Sequence, residues 1–230
     1  MPTVAGRFLS IPMLNGLVRV TSNRDVDPTT LIAYELGYRG RLSDRLDTSV
    51  NLFWHEFDEV FTFSPRLGPP GLLQNRLNNR SGNVSLYGAE MEARYAVSDK
   101  LTLLGHYTYQ QLNWDVGEPF TDRDFITPPK HKFMLGAQVA VSEDLRVATN
   151  LFYVGAVRSP NPATPFFARR VDPYFRLDVN AEYAFPGDNT SLSVGVRNLL
   201  DADHYEGGTM FLNDAEVPRM IFAELRVRIN

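Results

Sequence analysis

The sequence predicts an all-β chain, an antiparallel meander of about nine long strands that forms a segment of a large transmembrane β-barrel. Three observations carry that expectation. Long stretches alternate apolar and polar residues with period 2, the mark of a strand with one apolar face. All fifteen prolines fall between those stretches, and proline cannot donate to a strand ladder. The connections alternate short and long along the whole chain, as they do in outer-membrane barrels with tight turns at the periplasmic rim and long loops outside.

Residues 1–30 carry Pro2, Pro12 and Pro28 around a short apolar run from Leu17 to Val20, and read as an irregular lead-in with at most one short strand. The barrel segment then occupies 31–230, with strands expected at 31–39, 46–57, 84–97, 101–110, 131–141, 145–154, 174–184, 190–198 and 219–229. The connections are 40–45, 58–83, 98–100, 111–130, 142–144, 155–173, 185–189 and 199–218. Three of the tight ends carry turn formers: Ser98-Asp99-Lys100, Ser142-Glu143-Asp144 and Pro186-Gly187-Asp188-Asn189. Nine is odd, so the first and last strands run the same way; the expected form is an open, curved sheet with edges at 31–39 and 219–229.

Register assigns the faces. Leu36, Val50, Leu52, Leu103, Leu135, Val139, Leu177, Val179, Val194 and Leu225 are expected on the outer, convex side. Aromatics gather toward the strand ends, Tyr38, Tyr95 and Tyr183 at one rim and Trp54, Tyr107, Tyr109 and Tyr153 at the other, as two headgroup layers require. The opposite face carries Glu35, Arg39, Asp47, His55, Glu90, Glu92, Arg94, Lys132, Arg146, Arg176, Asp178, Glu182, Arg197 and Arg226, which suits a wet or plugged lumen.

Composition narrows the function classes. The chain has 230 residues and no cysteine, which excludes a disulfide framework and any cysteine-based metal or nucleophile site. A net charge of −4 without basic runs leaves no nucleic-acid footprint. No 18-residue apolar window exists, which excludes a membrane helix but not a barrel. The first residues lack a basic region followed by an apolar one, so no signal peptide is visible, and a fragment of a longer protein is expected.

Specific motifs add to this. Asp178, then Val-Arg-Asn-Leu-Leu-Asp at 196–201, Tyr205 and an alternating last strand resemble the C-terminal end of TonB-dependent outer-membrane receptors. Asn23-Arg-Asp-Val-Asp-Pro followed by Tyr34-Glu-Leu-Gly-Tyr, and Gly88-Ala-Glu-Met-Glu, resemble two upstream elements of that family. The chain departs from its pattern at Thr29, where the family has Glu, and at Asn230, where an aromatic is usual. The resemblance implies a portion of a 22-stranded type barrel with the plug domain absent, in the outer membrane of a Gram-negative type cell and with a periplasmic C-terminus. It also implies uptake of a scarce nutrient, most commonly an iron–siderophore complex, energised by TonB through the missing N-terminal plug region. Its partners are then outer-membrane lipid and a small-molecule ligand.

Candidate ligand residues lie on the long connections: Arg76 and Arg80 on the first, Trp114 and Arg123 on the second, and Phe166, Phe167, Arg169 and Arg170 on the third. Arginine and aromatic rings together suit an anionic, ring-bearing ligand. His55, His106, His131 and His204 have no metal-ligand spacing and read as solvated side chains. Glu90 and Glu92 lack an accompanying nucleophile or oxyanion donor, so no enzyme, cofactor or metal site is expected. Two other classes stay open, a complete small outer-membrane channel or adhesin and a soluble β-sheet binding protein.

Overall fold

The computed structural model describes residues 10–13, 18–21, 23–67, 73–80, 82–115, 127–159, 169–187, 189–204 and 216–228, and among these every regular element is a strand. In order they are β1 (Ser10–Met13), β2 (Val18–Thr21), β3 (Thr30–Ser43), β4 (Leu46–Asp58), β5 (Val60–Leu67), β6 (Leu73–Arg80), β7 (Asn83–Ser98), β8 (Leu101–Asp115), β9 (His131–Ala140), β10 (Leu145–Val154), β11 (Val157–Ser159), β12 (Arg169–Val171), β13 (Tyr174–Ala184), β14 (Thr190–Arg197) and β15 (Met220–Val227). Nine of them form one antiparallel meander, β15-β14-β13-β10-β9-β8-β7-β4-β3. These are the nine expected strands. Among the described residues β3 and β15 end the sheet and do not pair with one another, so the sheet is open.

Register settles the faces. Cross-strand partners Leu36↔Leu52, Val50↔Met91, Leu135↔Leu151, Leu151↔Leu177 and Val194↔Ala223 put the expected outward set on one side. Leu36 is 71% exposed and Leu225 64%, while the described buried hydrophobics are Val26, Val84 and Val171 alone. A soluble sheet would bury this face in a core; here it is bare, as a lipid-facing wall is. Along β4, Leu52, Trp54 and Glu56 are exposed while Phe53, His55 and Phe57 are half-buried, so side chains splay on the apolar side and crowd on the polar one. The polar side is therefore concave.

At the end carrying the long connections, rings form a belt on the outer face. Trp54 stacks on Tyr87 at 5.2 Å, and Phe133, Tyr153 and Phe175 pack in sequence at 5.1 and 4.9 Å. Above that belt the polarity of the two faces inverts. The outward register positions become Glu56, Ser85, Gln111 and Asn113, while Phe57, Val84, Leu112 and Trp114 close into a small cluster on the inner side with Val60. The eight residue steps from Leu46 to Trp54 climb roughly 27 Å along the strand, or about 20 Å along the normal after a tilt of about 40°. Above that height the outer face meets water, so polar residues belong there. The inversion also carries β8 on to Asp115, five residues beyond the expected end, because the alternation continues with its apolar phase on the other face.

Two further corrections concern the connections. The lead-in holds two short strands rather than at most one, and 58–83 is not a plain loop but the hairpin β5–β6. With β1 and β2 it forms a four-stranded sheet, β1-β2-β6-β5, at the long-connection end. Pro12 and Pro65 lie inside β1 and β5, the two edges of that sheet, where a missing donor costs nothing.

The turn after β14 is built around Asn198, which is 1% exposed. Its backbone N–H donates to Asp178 Oδ1 at 3.0 Å; its Nδ2 donates to the carbonyls of Ala202 and Val217 at 3.1 Å each; its Oδ1 accepts from the Ala202 N–H at 3.2 Å. Asn198 and Asp201 take φ of 51° and 52°, a left-handed conformation that Asn and Asp tolerate best among side-chain-bearing residues. Arg219 bonds Asp201 through its side chain at 2.6 Å and its N–H at 3.1 Å, holding that carboxyl below its ordinary range. Glu216 is instead held above its range, first by a hydrogen bond with Asp203. The two have opposite pH signs. The Asp201 contribution is present above the ordinary aspartate range and lost as pH falls through the lowered value, whereas that of Glu216 is present at acid pH and lost as pH rises through the raised one.

Glycine fits where backbone and rings come close. A Cβ on Gly88 would strike the Tyr109 carbonyl and the ring of Phe53, and one on Gly195 the ring of Phe222, which lies across it from β15. Gly105, on the outer face, has nothing within 4 Å. Gly88→Ala is therefore expected to cost about 1–3 kcal/mol of overpacking, read as a lower midpoint of urea unfolding, while Gly105→Ala leaves the midpoint unchanged; equal midpoints would contradict the packing. Asn198→Ala, which unpairs two part-buried carbonyls, is expected to cost about 2 kcal/mol in urea unfolding and to open 198–204 to limited proteolysis.

Candidate functional site

The long-connection end and the concave wall beneath it hold the side chains that can meet a solute. At the mouth, Asn23 is nearly buried, accepts the Asp25 N–H at 3.1 Å in an Asx turn and donates to Asn78 Oδ1 at 3.0 Å. Arg76 donates to Asn23 Oδ1 at 2.8 Å. Asn79 Nδ2 donates to the carbonyls of Asp27 and Glu59 at 2.9 and 2.8 Å, and its Oδ1 accepts the Asp27 N–H. Thr29 Oγ1 adds a bond to the Glu59 carbonyl at 3.1 Å, which secures Glu59 at φ 56°. Strap 23–29 is thus stitched to the β5–β6 hairpin by a run of asparagines.

The candidate ligand residues are carried by separate pieces of this end. Arg76 belongs to the clasp just described. Arg80 sits on β6 opposite Val60. Trp114, expected on a loop, lies at the top of β8 and packs against Val84 in the inner cluster. Arg169 and Arg170 form β12, opposite Ser159 and Arg158 of β11. Arg123, Phe166 and Phe167 lie outside the described residues. Arg158 was missed by sequence reasoning. It stands eleven positions before Arg169 in the chain, and only the β11–β12 pairing brings three arginine positions onto one short hairpin.

On the concave wall a hollow of about 870 Å³ spans β3 to β10. Its acids have partners: Asp47 pairs with Arg41 at 3.1 Å, and Glu92 accepts from the Ser49 hydroxyl at 3.1 Å and faces His106 Nδ1 at 3.4 Å. Arg39, Arg94 and Lys132 line the same hollow, and among the described residues none of the three forms an ion pair. Beneath them Leu104, Met134 and Phe152 supply an apolar floor.

The histidines are not simply solvated. His55 Nε2 lies 3.2 Å from Glu35, His106 Nε2 3.1 Å from Thr108, and His131 Nδ1 2.8 Å from the Tyr107 hydroxyl. His204 is 3% exposed, stacks on Tyr174 at 4.3 Å and bonds the Ala202 carbonyl at 2.8 Å. No group of three or more acidic or histidine side chains among the described residues is placed to hold a metal ion.

Comparison with known proteins follows the geometry. The family model described as TonB dependent receptor-like, beta-barrel, matches residues 1–199. The fold is similar to that of the ferric enterobactin receptor PfeA of Pseudomonas aeruginosa (TM-score 0.66, 15% identity, 90% of this chain and 32% of that one). It is similar also to the siderophore receptor PirA of Acinetobacter baumannii (0.63, 16%, 90% and 33%) and to the copper transporter OprC (0.66, 17%, 89% and 32%). The chain thus spans about a third of the length of these structures. No curated protein matches it.

The clasp yields a direct test. Asn79→Ala removes two hydrogen bonds between strap and hairpin and a third to the Glu59 carbonyl, and amide exchange in 23–29 and 73–80 is expected to speed up about tenfold or more, with β8 to β13 unchanged. Equal exchange in both proteins would show that the clasp does not hold the mouth.

Proposed function

Since the chain belongs to the TonB-dependent receptor-like β-barrel family, we propose that it forms part of the wall of an outer-membrane receptor that takes up a scarce nutrient, first an iron–siderophore complex, by TonB-dependent transport. The observation that carries this reading is the open nine-stranded meander with a bare apolar exterior, an aromatic belt and a charged concave face. A wall of that kind is stable only with lipid on one side and water or polypeptide on the other. The open edges at β3 and β15 suit a segment whose neighbours complete the barrel, and they speak against a closed small channel.

In this reading the short turns and the C-terminus face the periplasm, and the sheet β1-β2-β6-β5 stands at the extracellular mouth. TonB acts through an N-terminal plug region beyond this segment. The cargo does not follow from the fold, because one fold serves several ligands; the similar structures themselves include siderophore receptors and a copper transporter. Anionic chelates are favoured here by the basic β11–β12 hairpin, in which Arg158 and Arg170 stand opposite each other. Arg76, Arg80, Trp114, Arg123, Phe166 and Phe167 complete the proposed ligand-contacting set.

The experiment is uptake of radiolabelled ferric enterobactin by iron-starved cells that carry the protein. Arg169→Ala with Arg170→Ala is expected to weaken uptake about tenfold or more without lowering the amount of protein in the outer membrane. Uptake that fails even in the wild type would reject this cargo, and unchanged uptake in the variant would remove the hairpin from the ligand path.

A further inference from the structure

The outer face carries one place whose charge differs from the rest of the wall. No lysine or arginine falls on an outward register position of the nine-stranded sheet, and the carboxylates there, Glu56, Asp58 and Asp115, stand above the aromatic belt on β4 and β8. β8 runs on to Asp115, but its neighbour β9 begins only at His131, opposite Tyr109, and β10 ends at Val154. The upper edge of the sheet is therefore notched beside β8. A cavity of about 500 Å³ lies in the notch, with Lys130, His131 and Gln111 as polar lining, Tyr153, Pro128 and Pro173 as apolar wall, and no acidic side chain. Main-chain bonds fix this edge: the Lys130 carbonyl accepts the Gln110 N–H and the His131 carbonyl the Gly155 N–H, both at 2.9 Å. The Tyr107 hydroxyl lies 2.8 Å from His131 Nδ1. With that hydroxyl as donor, the neutral ring keeps its proton on Nε2, so Nε2 donates whether the imidazole is neutral or charged. Among the described residues neither Lys130 nor His131 forms an ion pair.

We propose that this notch holds the phosphate-bearing headgroup of an outer-leaflet lipid, with Lys130 and His131 on the phosphate oxygens and Tyr153 against the glycan or glycerol above the acyl chains. Height is the first reason. Tyr153 packs with Phe133 and Phe175 in the aromatic belt, so the notch opens where hydrocarbon gives way to headgroups. Charge is the second. Carboxylates on β4 and β8 repel an anion from the neighbouring sector, whereas a lysine and a histidine without acid beside them draw it here. A free inorganic anion has no use for the proline and tyrosine wall, and a neutral headgroup none for two cationic groups. The volume lies within the range of about 300–1,000 Å³ that small-molecule sites occupy. The proposal rests on the receptor reading for the identity of the bare face as the lipid side, but it concerns the outside of the wall and not the path of a nutrient. A second copy of the chain is the rival occupant.

The test uses the full protein as assembled in the outer membrane, extracted and delipidated in nonionic detergent, then titrated with lipid A as the probe while bound lipid is counted by native mass spectrometry. Lys130→Gln with His131→Gln is expected to weaken the tightest lipid A site about tenfold or more, and Lys130→Arg alone to retain it. Arg146→Gln with Arg197→Gln, cations of the inner face that do not line the notch, should leave it unchanged, and heat-modifiable migration verifies that all three variants are folded. Lipid A stripped of its phosphates should bind more weakly than the probe. Equal loss in the two double variants, phosphate-free lipid A or inorganic phosphate binding as tightly as lipid A, or a wild-type dimer that the Lys130 and His131 double variant loses would each overturn the proposal. Ferric enterobactin uptake by the same wild-type protein separates the two readings. Uptake without lipid A binding at the notch overturns the lipid site alone, while lipid A binding without uptake supports the site and removes the siderophore cargo.

Discussion

Everything in this structure depends on one unbroken ladder of antiparallel backbone hydrogen bonds from β3 to β15. A strand with a bare apolar face can lie in hydrocarbon only if each of its amides and carbonyls is paired within the sheet. The ladder therefore dictates the rest. It keeps proline out of all nine strands, fixes which side chains point to lipid, and leaves two irregularities in register, near Arg41/Ser43 and Ala96/Ser98, both beside tight turns where the strands reverse.

Given that ladder, the sheet curves, and its two faces come to differ in space as well as polarity. On the convex side large residues stand apart and rings share a belt. On the concave side charges meet across strands, as in Arg41–Asp47, or along one strand, as in Arg226–Glu224, or fall on aromatic faces, as with Arg176 on Phe152. Close approach on that side is why Gly88 and Gly195 carry no side chain; Phe53 and Phe222 fill the space that one would take. The exposed ion pairs contribute little stability each, but they decide which cations remain uncommitted. The field of the hollow is what those pairs leave over.

Asparagine closes off the long-connection end at two places. At the long-connection end Asn79 and Asn23 bind strap to hairpin, and after β14 Asn198 binds three segments of one turn. In each case a short amide side chain supplies donor and acceptor at once, satisfying backbone groups that no strand pairs. Neither cluster reads as catalytic. Both hold loops in place at the long-connection end of the sheet.

The order of strands, their faces and the alternation of short and long connections were legible in the sequence, because period-2 patterning, proline placement and turn residues are local signals. The Val-Arg-Asn-Leu-Leu-Asp run carried the family resemblance, whereas the turn it forms is wired through Asp178 and Val217, about twenty positions away. What the sequence could not express was the change of phase above the aromatic belt. A reading that keeps apolar residues outward stops β8 at residue 110, when Leu112 and Trp114 have only crossed to the inner face. It also could not find the β5–β6 sheet, the Arg158–Arg170 opposition or the hollow, since each arises from strands far apart in the chain. Local pattern decided which residues face each way; cross-strand register alone decided which of them meet.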